Sequence, residues 1–418
     1  PIEGDVTIDI GTASINDEYA YGEPAEKIGI NIVSASDYLN PEANSNISLT
    51  AGVYGGGLSA DVKGNTTLNI GTVSQNQGIN IGGDIFGGGF GETTHVTGNV
   101  TVNIGADTGV APAHNYVGYA QITGDVYGGS AKGTVNSTNN STVNTYVPDP
   151  EHPETTANCY TKVNFYGGTI TGNIHGGGLG EDNEGTENDH AADVYGPVTV
   201  TMEKGTTTNT VVENVFGCNN VLGTPKNSVI VNINGGTVNQ SVYGGGKDAA
   251  YTPTESTSNY PAVNINNGTV MENVFGGGLG TTATVTGNPH VTIGDNVEGH
   301  TAAIKWSVYG GGSLATVDGS THIVVNSGTI GTPKDGETVY GGAKYGNIYG
   351  GGFGSSDNVR IGLVKGNTNV TVNGGTILHN VYGGGAYGSV GTYTYKTEDA
   401  NAVIDTHTEN TGKATIKI

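Results

Sequence analysis

The acidic stretch GGLGEDNE at 177–184 carries the clearest metal-ligand pattern in the sequence. It matches one copy of the glycine-rich calcium repeat that begins G-G-x-G-x-D. Glu181, Asp182, Glu184 and Asp189 would supply the carboxylate oxygens that Ca²⁺ prefers. That repeat binds calcium where copies stack on one another, and no second copy follows here. A solvated acidic loop is the simpler interpretation, and a weak calcium site is the alternative.

Acid–base catalysis has two candidate positions. Sugar-cleaving enzymes need clustered carboxylates with a cationic partner on one face. Asp357 and Arg360, in GSSDNVRIG, come nearest to such a pair, and His175 in IHGGG stands where other copies of its motif have an aromatic residue. A surface ion pair accounts for the first and a tolerated substitution for the second. We therefore expect no catalytic residue, no cofactor and no enzyme.

The composition excludes several classes of partner. Asp and Glu total 38 against 15 Lys and Arg, which gives a net charge of −23. Nucleic acids and anionic membranes are bound through basic patches, so neither is an expected partner. No apolar run reaches the length of a membrane-spanning helix, so no membrane insertion is expected. Cys159 and Cys218 show no metal-ligand or redox spacing, and whether they pair stays open.

The strongest pattern is a repeat in which an aliphatic residue, an aromatic residue and a run of glycines recur. It accounts for much of the glycine content, 74 of 418 residues. Each copy follows a V-x-G-N turn, an alternating strand such as VTVNI and a G-T-[IV] unit, and Val242 and Val274 of two successive copies are 32 residues apart. The aromatic positions are Tyr54, Phe86, Tyr127, Tyr243, Phe275, Tyr309, Tyr349 and Tyr382, with His175 and Phe216 in variant copies.

This repeat predicts an all-β fold, a parallel β-helix (β-solenoid) of about ten irregular coils. In VTVNI, Val and Ile alternate with Thr and Asn, which places one row inside and the other outside. A unit of three short strands and three corners cannot bury its apolar face alone, whereas stacked units bury a continuous core. We expect a single solenoid over 1–418, with loops inserted near 136–160, 181–193 and 252–262.

Two rows of side chains follow from this stacking. The residue before the aliphatic–aromatic pair is Asn, Asp or Ser, which predicts a ladder of corner side chains that cap backbone groups. Neighbouring residues of a strand point to opposite faces, so an inward Val implies an outward aromatic ring. We predict an external strip of stacked rings, formed by the aromatic positions named above, beside a strip of bare glycines. A ring that plugs the end of the coil is the alternative.

Tandem GGT[IV]xxNVYGGG units joined to VxGNxxVxI strands cover about residues 50 to 390. They resemble the glycine-rich repeats of bacterial cell-surface proteins, among them adhesin-like and autotransporter-passenger-like β-helices and large repeat proteins of gut anaerobes. The resemblance implies an extracellular or cell-surface location, within a longer chain or a polymer. It carries over no catalytic residues.

The segments GDVTIDIG and GKATIKI, near the two ends of the sequence, both look like solenoid strands. A solenoid end without a polar cap is an unpaired sheet edge, and neither segment shows a cap. Two such ends make a contact that does not close and therefore builds a filament. We predict an extracellular structural protein that associates head to tail. A glycan-binding adhesin domain is the alternative, and a polysaccharide-cleaving enzyme is the least favoured function.

Overall fold

The computed structural model divides into two compact units without any helix in its described part. Unit 1 comprises Pro1–Glu213 and Leu222–Asn227, and unit 2 comprises Asn214–Val221 and Ser228–Ile418. The described residues are 1–11, 27–32, 47–72, 79–111, 113–148, 151, 155–183, 189–206, 209–254, 260–332, 346–400 and 402–418.

Each unit contains a sheet of parallel strands, four to six residues long, which we call the long-strand sheet. Along the inner strands, such as Val100–Ile104 and Thr161–Phe165, buried residues alternate with outward polar ones, as the VTVNI pattern predicts. Equivalent residues are in register, so that Val163 lies opposite Val102 and Val200. In unit 1 the spatial order is Lys27–Ile32, Asp5–Ile10, Thr66–Ile70, Val100–Ile104, Thr161–Phe165 and Val198–Met202. In unit 2 it is Val229–Ile233, Ala262–Ile265, His290–Ile293, Thr321–Val325, Thr368–Val372 and Ala414–Lys417.

The G-T-[IV] units, together with the short segments that take their place in other coils, such as Ile79–Ile81 and Ala302–Ile304, form a second parallel sheet in each unit, which we call the G-T sheet. In several copies its glycine has a positive φ, 91° at Gly268, which a side chain would strain. In unit 1 its strands are Ile47–Leu49, Ile79–Ile81, Ala120–Ile122, Gly168–Ile170 and Thr210–Val212. In unit 2 they are Thr237–Val238, Gly268–Val270, Ala302–Ile304, Thr329–Ile330 and Thr376–Ile377.

The aliphatic–aromatic pairs form the third parallel sheet, the aromatic sheet. Its strands in unit 1 are Val53–Tyr54, Ile85–Phe86, Val126–Tyr127 and Ile174–His175. Its strands in unit 2 are Val215–Phe216, Val242–Tyr243, Val274–Phe275, Val308–Tyr309, Ile348–Tyr349 and Val381–Tyr382. The order long strand, G-T strand, aromatic strand occurs ten times among the described residues. The prediction of an all-β parallel solenoid of about ten coils is confirmed.

The valine of the V-x-G-N turn adds a fourth side to the coil. It was predicted as part of a turn, but it pairs in parallel with its counterpart in the next coil, as Val285 does with Val317. In one place the pairing covers two residues in each coil, where His95–Val96 pairs in parallel with Thr134–Val135. These valines are fully buried, so the fourth side closes the core.

The insertions fold as antiparallel hairpins outside the parallel sheets. Residues Thr145–Tyr146 and Ala157–Asn158 pair within the predicted loop at 136–160, and Glu181 bridges His190 within the loop at 181–193. Of the loop at 252–262, residues 255–259 lie outside the described part. Two further hairpins have no counterpart among the predicted loops. They pair Ala106–Asp107 with Tyr116–Val117, and Tyr393–Tyr395 with Ile404–His407.

The glycine runs after the aromatic residues are explained by the close approach of successive coils. A Cβ on Gly276 would lie 2.3 Å from the carbonyl oxygen of Gly310 in the next coil. A Cβ on Gly277 would lie 2.7 Å from the backbone nitrogen of Gly312. The runs of the inner coils are buried, Gly276 to Gly278 among them, whereas the run at 383–385 is partly exposed; the predicted exposed strip of bare glycines is therefore wrong for the inner coils.

The corner ladder predicted from Asn, Asp and Ser is present in both units. In each step the side-chain oxygen of one coil accepts the backbone N–H of the equivalent residue in the next coil, at 2.7 to 3.2 Å. The asparagine of V-x-G-N repeats the arrangement at a second corner, where Asn99 accepts the N–H of Tyr160 at 3.1 Å. These bonds satisfy backbone donors that the corners leave without a strand partner.

We predict that Gly277→Ala lowers the free energy of unfolding by about 1–3 kcal/mol, because the added methyl group meets the backbone of the next coil. Gly384 is the matched control, since it is also the second glycine of its run but has nothing within 4 Å of an added Cβ. Gly384→Ala should change stability by less than about 0.5 kcal/mol. Urea titrations followed by circular dichroism measure both. Equal losses in the two variants would show that close coil packing is not the reason for the glycines.

A second prediction concerns the corner ladder. Asn99→Ala should cost about 1 kcal/mol in the same titration, since the N–H of Tyr160 loses its acceptor. Asn99→Ser should cost less, because Ser320 fills the equivalent position with its Oγ accepting the N–H of Asn367 at 3.0 Å. A serine variant as unstable as the alanine variant would contradict this role of the corner side chain.

Candidate functional site

The predicted stack of aromatic rings is present in each unit. Neighbouring rings lie 4.6 to 5.0 Å apart between centroids, with interplanar angles of 3° to 12°. The row of unit 1 consists of Tyr54, Phe86, Tyr127 and His175. The row of unit 2 consists of Phe216, Tyr243, Phe275, Tyr309, Tyr349 and Tyr382. We call these the aromatic rows.

The prediction that the rings form an external strip is wrong for most of them. Six of the predicted positions are buried, namely Phe86, Tyr127, Tyr243, Phe275, Tyr309 and Tyr349, and the most exposed of these, Tyr243, shows 6% of its surface. Tyr54 is half-buried, and Tyr382 is 41% exposed in the last coil. The rings stack as predicted, but most of them are buried and not exposed.

The segments after several of the glycine runs cover the rings. In unit 2, Leu279, Phe353 and Ala386 pack against the aromatic row, and in unit 1 Ala131 and Leu179 do so. The buried glycines allow these segments to cross close to the row. In three coils the covering residue is a leucine or phenylalanine directly after GGG, at Leu179, Leu279 and Phe353, whereas Leu58 follows the same motif and is exposed.

The cover leaves a cleft of about 350 Å³ in unit 2. Its lining includes three stacked rings of the row, Tyr243, Phe275 and Tyr309, together with Glu272 and Trp306. Trp306 is the one tryptophan of the chain and is half-buried. It stands directly before the corner ladder, where other repeats have Gln240 and Glu272, and no sequence prediction included it.

Hydrogen bonds fix the polar groups of the cleft. Ser241 Oγ accepts the N–H of Asn273 at 3.2 Å and donates to Glu272 Oε2 at 3.4 Å. The backbone N–H of Trp306 donates to the backbone carbonyl of Glu272 at 3.0 Å. Burial raises the pKa of Tyr243 to about 12, with the charge of Glu272 adding to the rise and a bond to Ser241 opposing it. The Tyr243 hydroxyl therefore stays protonated over the physiological range and can act as a hydrogen-bond donor.

His175 is fully buried and stacks on Tyr127 at 4.9 Å. Its Nε2 lies 3.8 Å from Asp125 Oδ2, to which the Tyr127 hydroxyl donates at 3.1 Å. Burial tends to raise the pKa of Asp125. The contacts with His175, the N–H of Asn173 and the Tyr127 hydroxyl outweigh it and lower that pKa to about 2. His175 and Asp125 thus lie side by side within the aromatic row, and the interpretation of His175 as a tolerated substitution stays a prediction.

The carboxylates of the predicted calcium loop have other partners. Lys132 Nζ lies 2.6 Å from Glu181 Oε2 and lowers the pKa of Glu181, and Asp189 accepts the N–H of Asn183 at 2.9 Å. Asp182 is exposed, and Glu184 lies outside the described residues. Within the described part, no three Asp, Glu, His or Cys side chains form a group that could hold a metal ion. Calcium binding by this loop stays a prediction.

Asp357 and Arg360 point to different partners. Arg360 Nη1 lies 3.1 Å from Glu398 Oε2, and its guanidinium lies 4.5 Å from the ring centroid of Tyr395. Asp357 accepts a hydrogen bond from Ser356 at 3.2 Å. The two residues therefore do not form the carboxylate–cation pair that sugar cleavage would require.

Cys159 and Cys218 are free and buried thiols. Burial raises the pKa of Cys159 to about 11 and that of Cys218 well above its ordinary value. A thiol must ionise to act as a nucleophile or metal ligand, so both behave as small core residues.

No family model, curated protein or solved structure matches the chain. Among the described residues, no helix is long and apolar enough to cross a membrane. Function must therefore be argued from the geometry of the two units.

We predict a measurable pH dependence from Asp125. Its pKa is about 2 in the folded chain against 3.8 ordinarily, so its contribution to stability is complete above pH 4 and is lost as the pH falls towards 2. Asp125→Asn should therefore destabilise the protein by about 2 kcal/mol more at pH 5 than at pH 2. His175→Phe, which keeps an aromatic ring in the row, should flatten the same pH profile. Urea titrations at the two pH values measure both, and a pH-independent effect of Asp125→Asn would refute the assignment.

Proposed function

We propose that the protein is a non-enzymatic, extracellular or cell-surface structural protein whose solenoid assembles end to end into filaments. The observation that carries this proposal is the open edge of the long-strand sheet in unit 2. Ala414–Lys417 pairs on one side with Thr368–Val372, and no described strand pairs with its other side. An unpaired edge strand is a template for another chain.

Exposed apolar side chains are frequent in the last part of unit 2, to which this edge strand belongs. Of the eight large apolar residues that are exposed in the described part of unit 2, six lie from Tyr382 onwards: Tyr382, Tyr387, Val403, Ile404, Ile416 and Ile418. Ile416 lies on the edge strand itself, and an exposed apolar residue there favours a partner that covers it. Burial of Ile416, which continues the core row through Val370, would extend the solenoid core into the partner.

The partner that fits this edge is a second copy of the chain. Lys27–Ile32 is the other edge strand, at the end of the long-strand sheet of unit 1, and all long strands pair in parallel. A parallel contact between Ala414–Lys417 of one copy and Lys27–Ile32 of another would continue the same hydrogen-bond pattern. Such a contact joins two different surfaces and does not close, so it produces a filament.

The non-enzymatic part of the proposal draws on the candidate catalytic residues. His175 is enclosed in its aromatic row, and Asp357 and Arg360 contact different partners. The extracellular location draws on the acidic composition and on the resemblance to bacterial surface repeats. The non-enzymatic part would fail if the purified chain cleaved plant or mucin glycans and Asp357→Ala removed the activity.

Filament formation is tested by negative-stain electron microscopy and sedimentation velocity over a range of protein concentrations, with and without calcium. We expect filaments whose length grows with concentration. Ile416→Lys should abolish them, because it places a charge on the apolar edge, which is 43% exposed at this residue.

Val297→Lys is the control variant, since it adds the same charge at a residue of unit 2 that is 51% exposed on a loop. It should assemble like the original chain. Single particles at every concentration, or assembly that tolerates Ile416→Lys, would overturn the proposal. Filaments that form only with calcium would support the prediction that the 181–193 loop binds this metal.

A further inference from the structure

We propose that the cleft beside the aromatic row of unit 2 binds a small uncharged saccharide. The proposal does not depend on filament assembly, because every residue that lines the cleft lies within unit 2. Its volume of about 350 Å³ is at the lower end of the range for ligand sites, roughly 300–1,000 Å³. A site of this size accommodates one or two sugar rings.

The lining combines apolar surface with a few fixed polar groups, which is the usual character of a ligand site. Trp306 and Phe353 provide apolar ring surface, and Ser241, Asn273 and Ser313 provide hydroxyl and amide groups. A sugar ring has the same division, with C–H groups on its faces and hydroxyls around its rim. The ladder bonds of Ser241 and Asn273 hold these polar groups in place before a ligand enters.

The geometry of the aromatic row argues against a cationic ligand. Phe275 is stacked between Tyr243 and Tyr309, and each of these has a further ring on its other side. The faces of the row are therefore covered, and only ring edges reach the cleft. Cations bind over the negative face of a ring, whereas its edge is positive and favours contact with oxygen.

Charge argues against an anionic ligand. The carboxylate of Glu272 lines the cleft, and the chain carries a net charge of −23. A sugar acid or a phosphate would meet this carboxylate, and the residues that line the cleft include no lysine or arginine to bind the anion. A neutral polyhydroxylated ring fits both the edges and the charge, because its hydroxyls can donate to the Glu272 carboxylate. A cation would meet the same carboxylate but no free face of the aromatic row.

The position of Trp306 is the further argument for a ligand. Its backbone is hydrogen-bonded to the coils on both sides. The backbone N–H of Trp306 donates to the backbone carbonyl of Glu272, and the Trp306 carbonyl accepts the N–H of Gly346 at 2.9 Å. The side chain is thus held on a rigid corner, yet half-buried. A large ring kept partly accessible on a rigid support is suited to contact a ligand.

Trp306 also supplies the test, because its fluorescence reports from the cleft alone. The full chain is titrated with neutral sugars (glucose, galactose, mannose, N-acetylglucosamine and cellobiose), and separately with glucuronate and choline. We expect a saturable change with at least one neutral sugar, at a Kd of about 1 mM or tighter. A parallel array of neutral glycans tells whether the cleft takes a free sugar or the end of a longer glycan.

Two variants should weaken this binding at least about tenfold. Trp306→Gln, read by calorimetry, introduces the residue type found at Gln240, and Ser313→Tyr fills the cleft while it leaves the fluorescent reporter in place. Met271→Ala, at an exposed neighbour that does not line the cleft, is the control and should bind normally. Thermal unfolding checks that all three variants fold.

Three outcomes would overturn the proposal. One is the absence of a saturable response to every neutral sugar and glycan by the folded chain. Another is a stronger response to choline or glucuronate than to any neutral sugar. The third is unchanged binding in both folded variants, Trp306→Gln and Ser313→Tyr, which would place the sugar elsewhere.

Discussion

Parallel pairing of equivalent strands sets one distance between every residue and its copy in the next coil. Strands in a sheet lie about 4.8 Å apart, and in-register pairing applies that spacing to side chains as well. The aromatic rings accordingly lie 4.6 to 5.0 Å apart, which is a favourable stacking distance. The same spacing brings backbone against backbone at the glycine runs and leaves no room for a Cβ at Gly276.

This constraint also determines where recognition is feasible in the aromatic rows. A ring stacked on both sides, such as Phe275, has no free face and contributes to stability rather than to binding. A ring that contacts a ligand through its face must therefore belong to a residue outside the stacked aromatic positions of the repeat. Trp306 is such a residue, since it replaces a polar residue of the repeat and lies next to the incomplete cover of the row.

The parts of the fold that depend on local periodicity could be predicted from the sequence. Alternation in VTVNI gave the long strands, and the small polar residue before each aromatic pair gave the corner ladder seen at Asn273. The burial of the rings could not be derived from strand alternation, because Tyr243 is covered by a segment that crosses back after the glycines. The cleft depends on how far Phe353 and Trp306 stand apart in space, which no spacing in the sequence encodes.

The direction of the corner ladder has a consequence for how such a chain can change its length. In both units the oxygen lies in the earlier coil and the N–H in the later one, as between Asp84 and Asp125 and between Asn347 and Asn380. Each coil therefore accepts from its successor and donates to its predecessor in the same way. Duplication or deletion of a whole coil leaves every remaining corner matched, whereas a partial coil breaks the ladder. Genes that encode such chains can accordingly expand and contract in steps of one repeat.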